Sequence, residues 1–137
     1  MSYLIDTNVL SELRRKRPNA AVVQWFTQRP ARCLYLSVLT LGEIRKGIEG
    51  VSEAKRRAAL IDWLEVDLPN FFTGRILGVD AAVADRWGRL LTQAKRPLPA
   101  VDSLLAATAL SHDLTLVTRN LKDFNVVGLN VLNPWQL

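Results

Sequence analysis

Cysteine and histidine are almost missing from this sequence, with Cys33 and His112 as the only examples. A lone cysteine closes no bridge within the chain. A lone histidine removes paired-histidine RNA hydrolysis, and most zinc sites lack their ligands for the same reason. Long apolar runs are missing too, because charged residues interrupt every stretch that approaches the roughly 20 residues needed to cross a bilayer. Nor does the start of the chain resemble a secretory signal, since Asp6 falls where an unbroken apolar segment would have to lie. These absences predict a protein of the reducing cytoplasm with no membrane contact. Its chemistry must be run by carboxylates, hydroxyls or a bound metal.

What is present predicts a well-filled core. A chain of 137 residues with 49% apolar and 23% charged side chains suits one globular unit spanning residues 1–137. Lys and Arg number 18 against 13 Asp and Glu, a net charge of +5. That excess suits an anionic partner such as nucleic acid, although a basic solvated surface would give the same total.

Short apolar segments alternate with helical periodicity along the chain. Strands are expected at Ser2 to Ile5, Cys33 to Leu36, Arg75 to Val79 and Thr115 to Val117, with a fifth inside Val126 to Leu132. Helices are expected from near Val9, over Asn19 to Gln28, from about Thr40, over Glu53 to about Leu64, over Ala81 to about Leu91, and over Ala100 to Ser111. On the helix from Ala81, Val83, Trp87, Leu90 and Leu91 should face inwards. Strands without polar alternation are buried on both faces, which predicts an α/β fold with a parallel sheet flanked by helices on both sides.

Most acids lie on wet segments, but Asp6, Glu43 and Asp102 are each a lone charge in apolar sequence. A buried, unpaired carboxylate costs several kcal/mol or surrenders its charge. A shared divalent cation would satisfy all three. Each has a plainer alternative: Asp6 may cap the first helix, Thr40-Leu41-Gly42-Glu43 fits a capping box, and Asp102 falls in a first helical turn. Their common location decides for a site, because Asp6 ends the first strand, Glu43 follows the second and Asp102 precedes the fourth. The carboxyl edge is where parallel sheets place their sites. Asp80, also at a strand end, is assigned to capping. After the fourth strand, Thr118 to Phe124 brings Asn120 and Asp123 to the same edge, where they could complete a metal shell directly or through water, with Arg119 and Lys122 for phosphate. A polar turn would use the same residues.

At these positions the chain resembles the PIN-domain family, and within it the VapC and FitB-like toxins. The matching stretches are Leu4-Ile5-Asp6-Thr7-Asn8-Val9-Leu10-Ser11-Glu12, Leu36-Ser37-Val38 with Gly42-Glu43, Ala100-Val101-Asp102 with Ala106-Ala107-Thr108-Ala109, Val117-Thr118-Arg119-Asn120 and Asn133-Pro134-Trp135. The resemblance implies five parallel strands, Mg²⁺ or Mn²⁺ in an acidic pocket, single-stranded RNA as substrate and a VapB-like antitoxin as partner. Asp6, Glu43 and Asp102 fall on the family's metal-binding acids, and Thr7, Asn8 and Thr118 on the polar residues behind them. The fourth ligand stays open between Asn120, as a neutral group, and Asp123. A homodimer is also expected, with some of Trp25, Phe26, Phe71 and Phe72 facing a partner. Arg14 to Arg17 and Arg119 are candidates for tracking the RNA backbone. A phosphatase of the haloacid dehalogenase kind would need a second acid where Asn8 stands. The competing reading is a PIN-like binding module with a vestigial acidic pocket.

Overall fold

Tyr3 and Ile5 point to one side of the first strand and Leu4 to the other, and this alternation divides the interior into two cores. The computed structural model describes residues 1–137. Its strands β1 (Tyr3–Ile5), β2 (Leu34–Ser37), β3 (Ile76–Leu77), β4 (Thr115–Val117) and β5 (Val131–Leu132) form one sheet in the order β3-β2-β1-β4-β5. All pairings are parallel, with Leu4 opposite Tyr35 on one side and Leu116 on the other. The central strand is therefore the first one made.

The Tyr3 and Ile5 side is covered by α1 (Thr7–Leu13), α2 (Ala20–Thr27), α3 (Val38–Glu49), α4 (Ala54–Asp62) and α5 (Leu68–Phe71). Their contributions include Val9, Val22, Trp25, Ile44, Ile48, Leu68 and Phe72, all buried. The Leu4 side is covered by α6 (Ala81–Gln93) and α7 (Ala100–Ser111), through Leu90, Leu105, Ala106 and Ala109. Each fully buried large aliphatic side chain, such as Leu4, Ile5, Leu36 or Leu116, contributes about 1.5–3 kcal/mol. That margin tolerates a few buried polar groups at the sheet edge. No helix is long and apolar enough to cross a membrane.

Several boundaries differ from the sequence expectation, each for a local reason. The first helix begins at Thr7 rather than near Val9, because Asp6 caps it. The helix expected to stop near Leu64 passes through a π-helical stretch, Trp63–Asp67, into α5. Pro69 sits there; it lacks an N–H, and its ring would clash with the carbonyl four residues earlier, so the turn widens instead of continuing as α-helix. β3 is only Ile76–Leu77, held at its start by Arg75, whose guanidinium donates to the carbonyls of Ala31, Leu34 and Phe71. On α6, Val83 and Leu90 are buried and Trp87 half-buried, but Leu91 is exposed, contrary to expectation.

Candidate active site

Because all strands are parallel, the segments leaving β1, β2 and β4 emerge at one edge. At the first exit stands Asp6, only 8% exposed. Its Oδ1 accepts the Thr7 backbone N–H at 2.7 Å, the bond that caps α1. Its Oδ2 accepts the Thr118 hydroxyl at 2.7 Å and the Asn8 amide at 3.4 Å. Thr118 Oγ1 in turn accepts from Asn8 Nδ2 and from the Asn120 backbone N–H, both at 3.1 Å. One hydroxyl thus uses its donor and both lone pairs. Asn8 Oδ1 accepts the Arg119 N–H at 3.3 Å, so the exit of β1 is stitched to that of β4.

Glu43 is exposed on α3 and accepts the Thr7 hydroxyl at 2.8 Å. The capping-box alternative fails, since α3 starts at Val38 and its cap is Ser37, whose Oγ accepts the Leu39 N–H at 3.0 Å. Thr7 consequently binds two acids at once, Asp6 through its backbone and Glu43 through its hydroxyl. Asp102 is half-buried in the first turn of α7. Asp123 is exposed on a 3-10 turn, Leu121–Phe124, beyond β4. Asp80 caps α6 by accepting the Val83 N–H at 2.9 Å, as its sequence position implied.

The acids feel one another. Burial raises the Asp6 pKa; the Thr118 and Thr7 bonds oppose that shift, and the charges of Glu43 and Asp102 add to it. Asp102 is also raised, first by burial and then by the charges of Asp123 and Glu43. None of these four takes part in an ion pair, for the paired acids are Glu12, Glu49, Glu65 and Asp85. Cations have not been recruited to balance them. Nor do any three acids converge into a ready-made cage around one point. Glu43 and Asp123 are exposed, and Glu43 is held by the Thr7 hydroxyl. The donor set is all oxygen, which matches Mg²⁺ and Mn²⁺ better than softer metals.

The other residues singled out in the sequence have other places. Trp25 and Phe72 are core, Phe26 is half-buried, and Phe71 is exposed and stacks on Phe26 at 5.7 Å between centroids. Arg119 lies over the Trp135 ring at 5.1 Å, and Arg14 over Trp63 at 5.3 Å. Glu12, which closes the first matching stretch, has a structural role that its neighbouring basic run does not suggest. It is buried, accepts the Asn19 N–H at 2.8 Å and pairs with Arg15 at 3.2 Å, which fixes the turn between α1 and α2. Its spacing of three residues from Arg15 was the available signal.

Comparison with known proteins identifies the family and the fold. The family model described as PIN domain matches residues 3–128. The chain is similar to the VapC ribonuclease Y4jK of Sinorhizobium fredii, 34% identical, with 97% of each chain covered. It is also similar to the crystal structure of FitAcB from Neisseria gonorrhoeae, with a TM-score of 0.93, 37% identity, and coverage of 98% of this chain and 99% of that one. A toxin-antitoxin complex from Klebsiella pneumoniae superposes with a TM-score of 0.69 at 30% identity, covering 99% of this chain and 100% of the other. The match runs from β1 past Asp123, so every strand exit described above lies within it, and the protein belongs to the PIN domain family.

Proposed function

We propose that this protein is a Mg²⁺- or Mn²⁺-dependent endoribonuclease that hydrolyses phosphodiester bonds in single-stranded RNA. It acts as the toxin of a type II toxin-antitoxin pair and is silenced by a VapB-like antitoxin. The observation that carries this reading is the set Asp6, Glu43, Asp102 and Asp123, mutually repelling at one sheet edge with no cation paired to any member. The likeness to a VapC ribonuclease and to a toxin-antitoxin complex supports it.

Asp6, Glu43 and Asp102 would hold the metal, with Asp123 as the fourth acid; its charge already acts on Asp102, which favours it over Asn120 as the anionic ligand. A bound divalent ion supplies a Lewis acid that makes a water nucleophilic near neutral pH and offsets phosphate charge. Asp6 is aimed by Thr7, Asn8 and Thr118, and those donors leave part of a carboxylate's roughly four acceptor sites unspent. In the reaction the water oxygen bonds to phosphorus and the bond to the 3′ oxygen breaks. A site carboxylate takes the water's proton, and solvent water protonates the departing 3′ oxygen to a hydroxyl. Arg119 and Lys122, just past β4, would contact the RNA backbone.

Residues 1–137 would work as one unit in the cytoplasm, as a homodimer for which exposed Phe71 is the available aromatic contact. The separation of the acids is the one observation favouring a binding module with a vestigial pocket. Incubating purified protein with single-stranded RNA in Mn²⁺ and in chelator separates the two. Cleavage that needs metal and disappears in Asp102→Asn supports the nuclease; no cleavage by the wild type in either buffer overturns it.

A further inference from the structure

A cavity of about 440 Å³ opens between the second half of α6, the turn that follows it, Leu110 near the end of α7 and the segment after the Leu121–Phe124 turn. Its size falls within the roughly 300–1,000 Å³ of small-ligand pockets. Three cations line it, Arg86, Lys95 and Arg96, and no carboxylate does. None of the three is in an ion pair. The contrast with Arg89 on the same helix is informative, because Arg89 pairs with Asp85 at 3.1 Å while Arg86, next to that acid in sequence, does not. Uncompensated like charges around one depression favour an anionic occupant.

The rest of the lining narrows the chemistry. Leu90 and Val126 supply an apolar floor, and the amides of Gln93 and Asn125 stand among them. Apolar side chains, amides that can both donate and accept, and guanidinium groups are the kinds of group that recognise an unstacked base in single-stranded RNA. The cavity wall is joined to the segment that carries an acid: Asn125 follows Asp123 by two positions. Arg96 donates to the Lys122 carbonyl at 3.0 Å, which ties the cavity wall to the turn carrying Asp123.

Resting on the ribonuclease reading of those carboxylates, we propose that the cavity seats a nucleotide of the RNA strand flanking the cleaved bond. The base lies on Leu90 and Val126, with its edge read by Gln93 and Asn125. Arg86 and Lys95 hold the adjoining phosphates. The cavity would thereby set which sequences are cut, a task the acids cannot perform because they meet only phosphate and water.

The test measures fluorescence anisotropy of labelled single-stranded RNA in Mn²⁺, in an Asp102→Asn background that binds without cutting. Adding Arg86→Glu with Lys95→Glu is expected to weaken binding by about tenfold or more and to lower the slope of log affinity against log salt by roughly two. Adding Lys55→Glu with Arg56→Glu on α4, the same charge change on another face, should leave affinity unchanged. In the wild-type background, Gln93→Ala should alter base preference at the cleavage site. Unchanged RNA affinity and salt slope in the Arg86 and Lys95 variant overturn the proposal. So does loss of antitoxin binding or of the dimer with RNA affinity intact, which would give the cavity to a protein partner. Failure of the ribonuclease reading looks different, since the wild type would then cut no RNA while the binding comparison still reports on the cavity.

Discussion

Thr118 gives its hydroxyl proton to Asp6 Oδ2 at 2.7 Å, across 112 positions of sequence. This bond works against the burial that raises the Asp6 pKa, so it keeps an acid at the sheet edge ionisable. Thr118→Val preserves shape and removes the proton donor. We expect a loss of about 1–3 kcal/mol in stability, because Asp6, Asn8 and Asn120 lose a shared partner. RNA cleavage should fall about 10- to 100-fold, as when a group orienting a metal ligand is removed. Its pH profile should move to higher pH, since Asp6 loses a bond that favours its charged form. A profile superimposable on the wild type would detach Thr118 from the chemistry.

Asp6→Asn and Asp102→Asn should each abolish metal-dependent cleavage in a protein whose circular dichroism is unchanged. Asp80→Ala makes the matching control at another strand end. It should cut RNA at the normal rate yet lose about 1 kcal/mol of stability, the worth of the cap it gives Val83. An inactive but folded Asp80→Ala protein would mean that the wrong acid had been placed in the site.

The raised pKa values of Asp6 and Asp102 make metal-free stability depend on pH in a defined direction. An acid whose folded pKa lies above its unfolded value favours folding while protonated, and that advantage is lost as pH rises from about the ordinary 3.8 through the folded value. In chelator, Asp102→Asn should therefore melt above the wild type at pH 7, and the gap should shrink towards pH 4. Excess Mn²⁺ should raise the wild-type Tm and the variant's much less, because metal at 100 times its dissociation constant adds roughly 2.7 kcal/mol. Equal melting of both proteins in chelator at pH 7 would show that burial of the Asp102 charge, and its repulsion by Asp123 and Glu43, cost the fold nothing.

Glu12 runs the other way. Its pKa is lowered, chiefly by the Asn19 backbone bond and then by Arg15. The stability it contributes is present above the ordinary carboxyl range and disappears as pH falls through the folded value. Glu12→Ala should lower the Tm at pH 7 and have a smaller effect at pH 3. A Tm deficit that stays constant between those pH values would assign the effect to packing alone.

How far the sequence disclosed this can be judged from particular residues. Asp6, Glu43 and Asp102 stood out because a charge in apolar sequence conflicts with burial, and that conflict is local enough to read. The parallel sheet followed from strands without polar alternation. The hydrogen bonds among Asp6, Asn8 and Thr118 were not legible as geometry, since they join segments that meet only through the pairing of β1 with β4. The π-helical stretch before Pro69 depends on how a helix absorbs a missing donor, which periodicity does not encode. Leu91 looked like core because helical spacing permits it; only the width of the α6 contact decides that it is exposed. The cavity between α6 and the segment after Asp123 was not legible, because its charged and amide lining, Arg86, Gln93, Lys95, Arg96 and Asn125, looks like ordinary surface in the sequence.

The middle strand of the sheet is the first to be synthesised, yet one of its two flanking neighbours, β4, begins only at Thr115. During translation Asp6 and Glu43 leave the ribosome early, but Thr118 and Asp123 are still unmade. Pairing over such a sequence distance closes late, because loop entropy must be overcome before contacts are gained. A nascent or prematurely terminated chain that ends before β4 has one side of β1 unpaired, no hydroxyl to align Asp6 and no fourth acid. The sheet edge that carries Asp6 is therefore completed only when β4 and the turn after it have been made, so any truncation upstream of Thr115 removes the partner of Asp6 along with the strand.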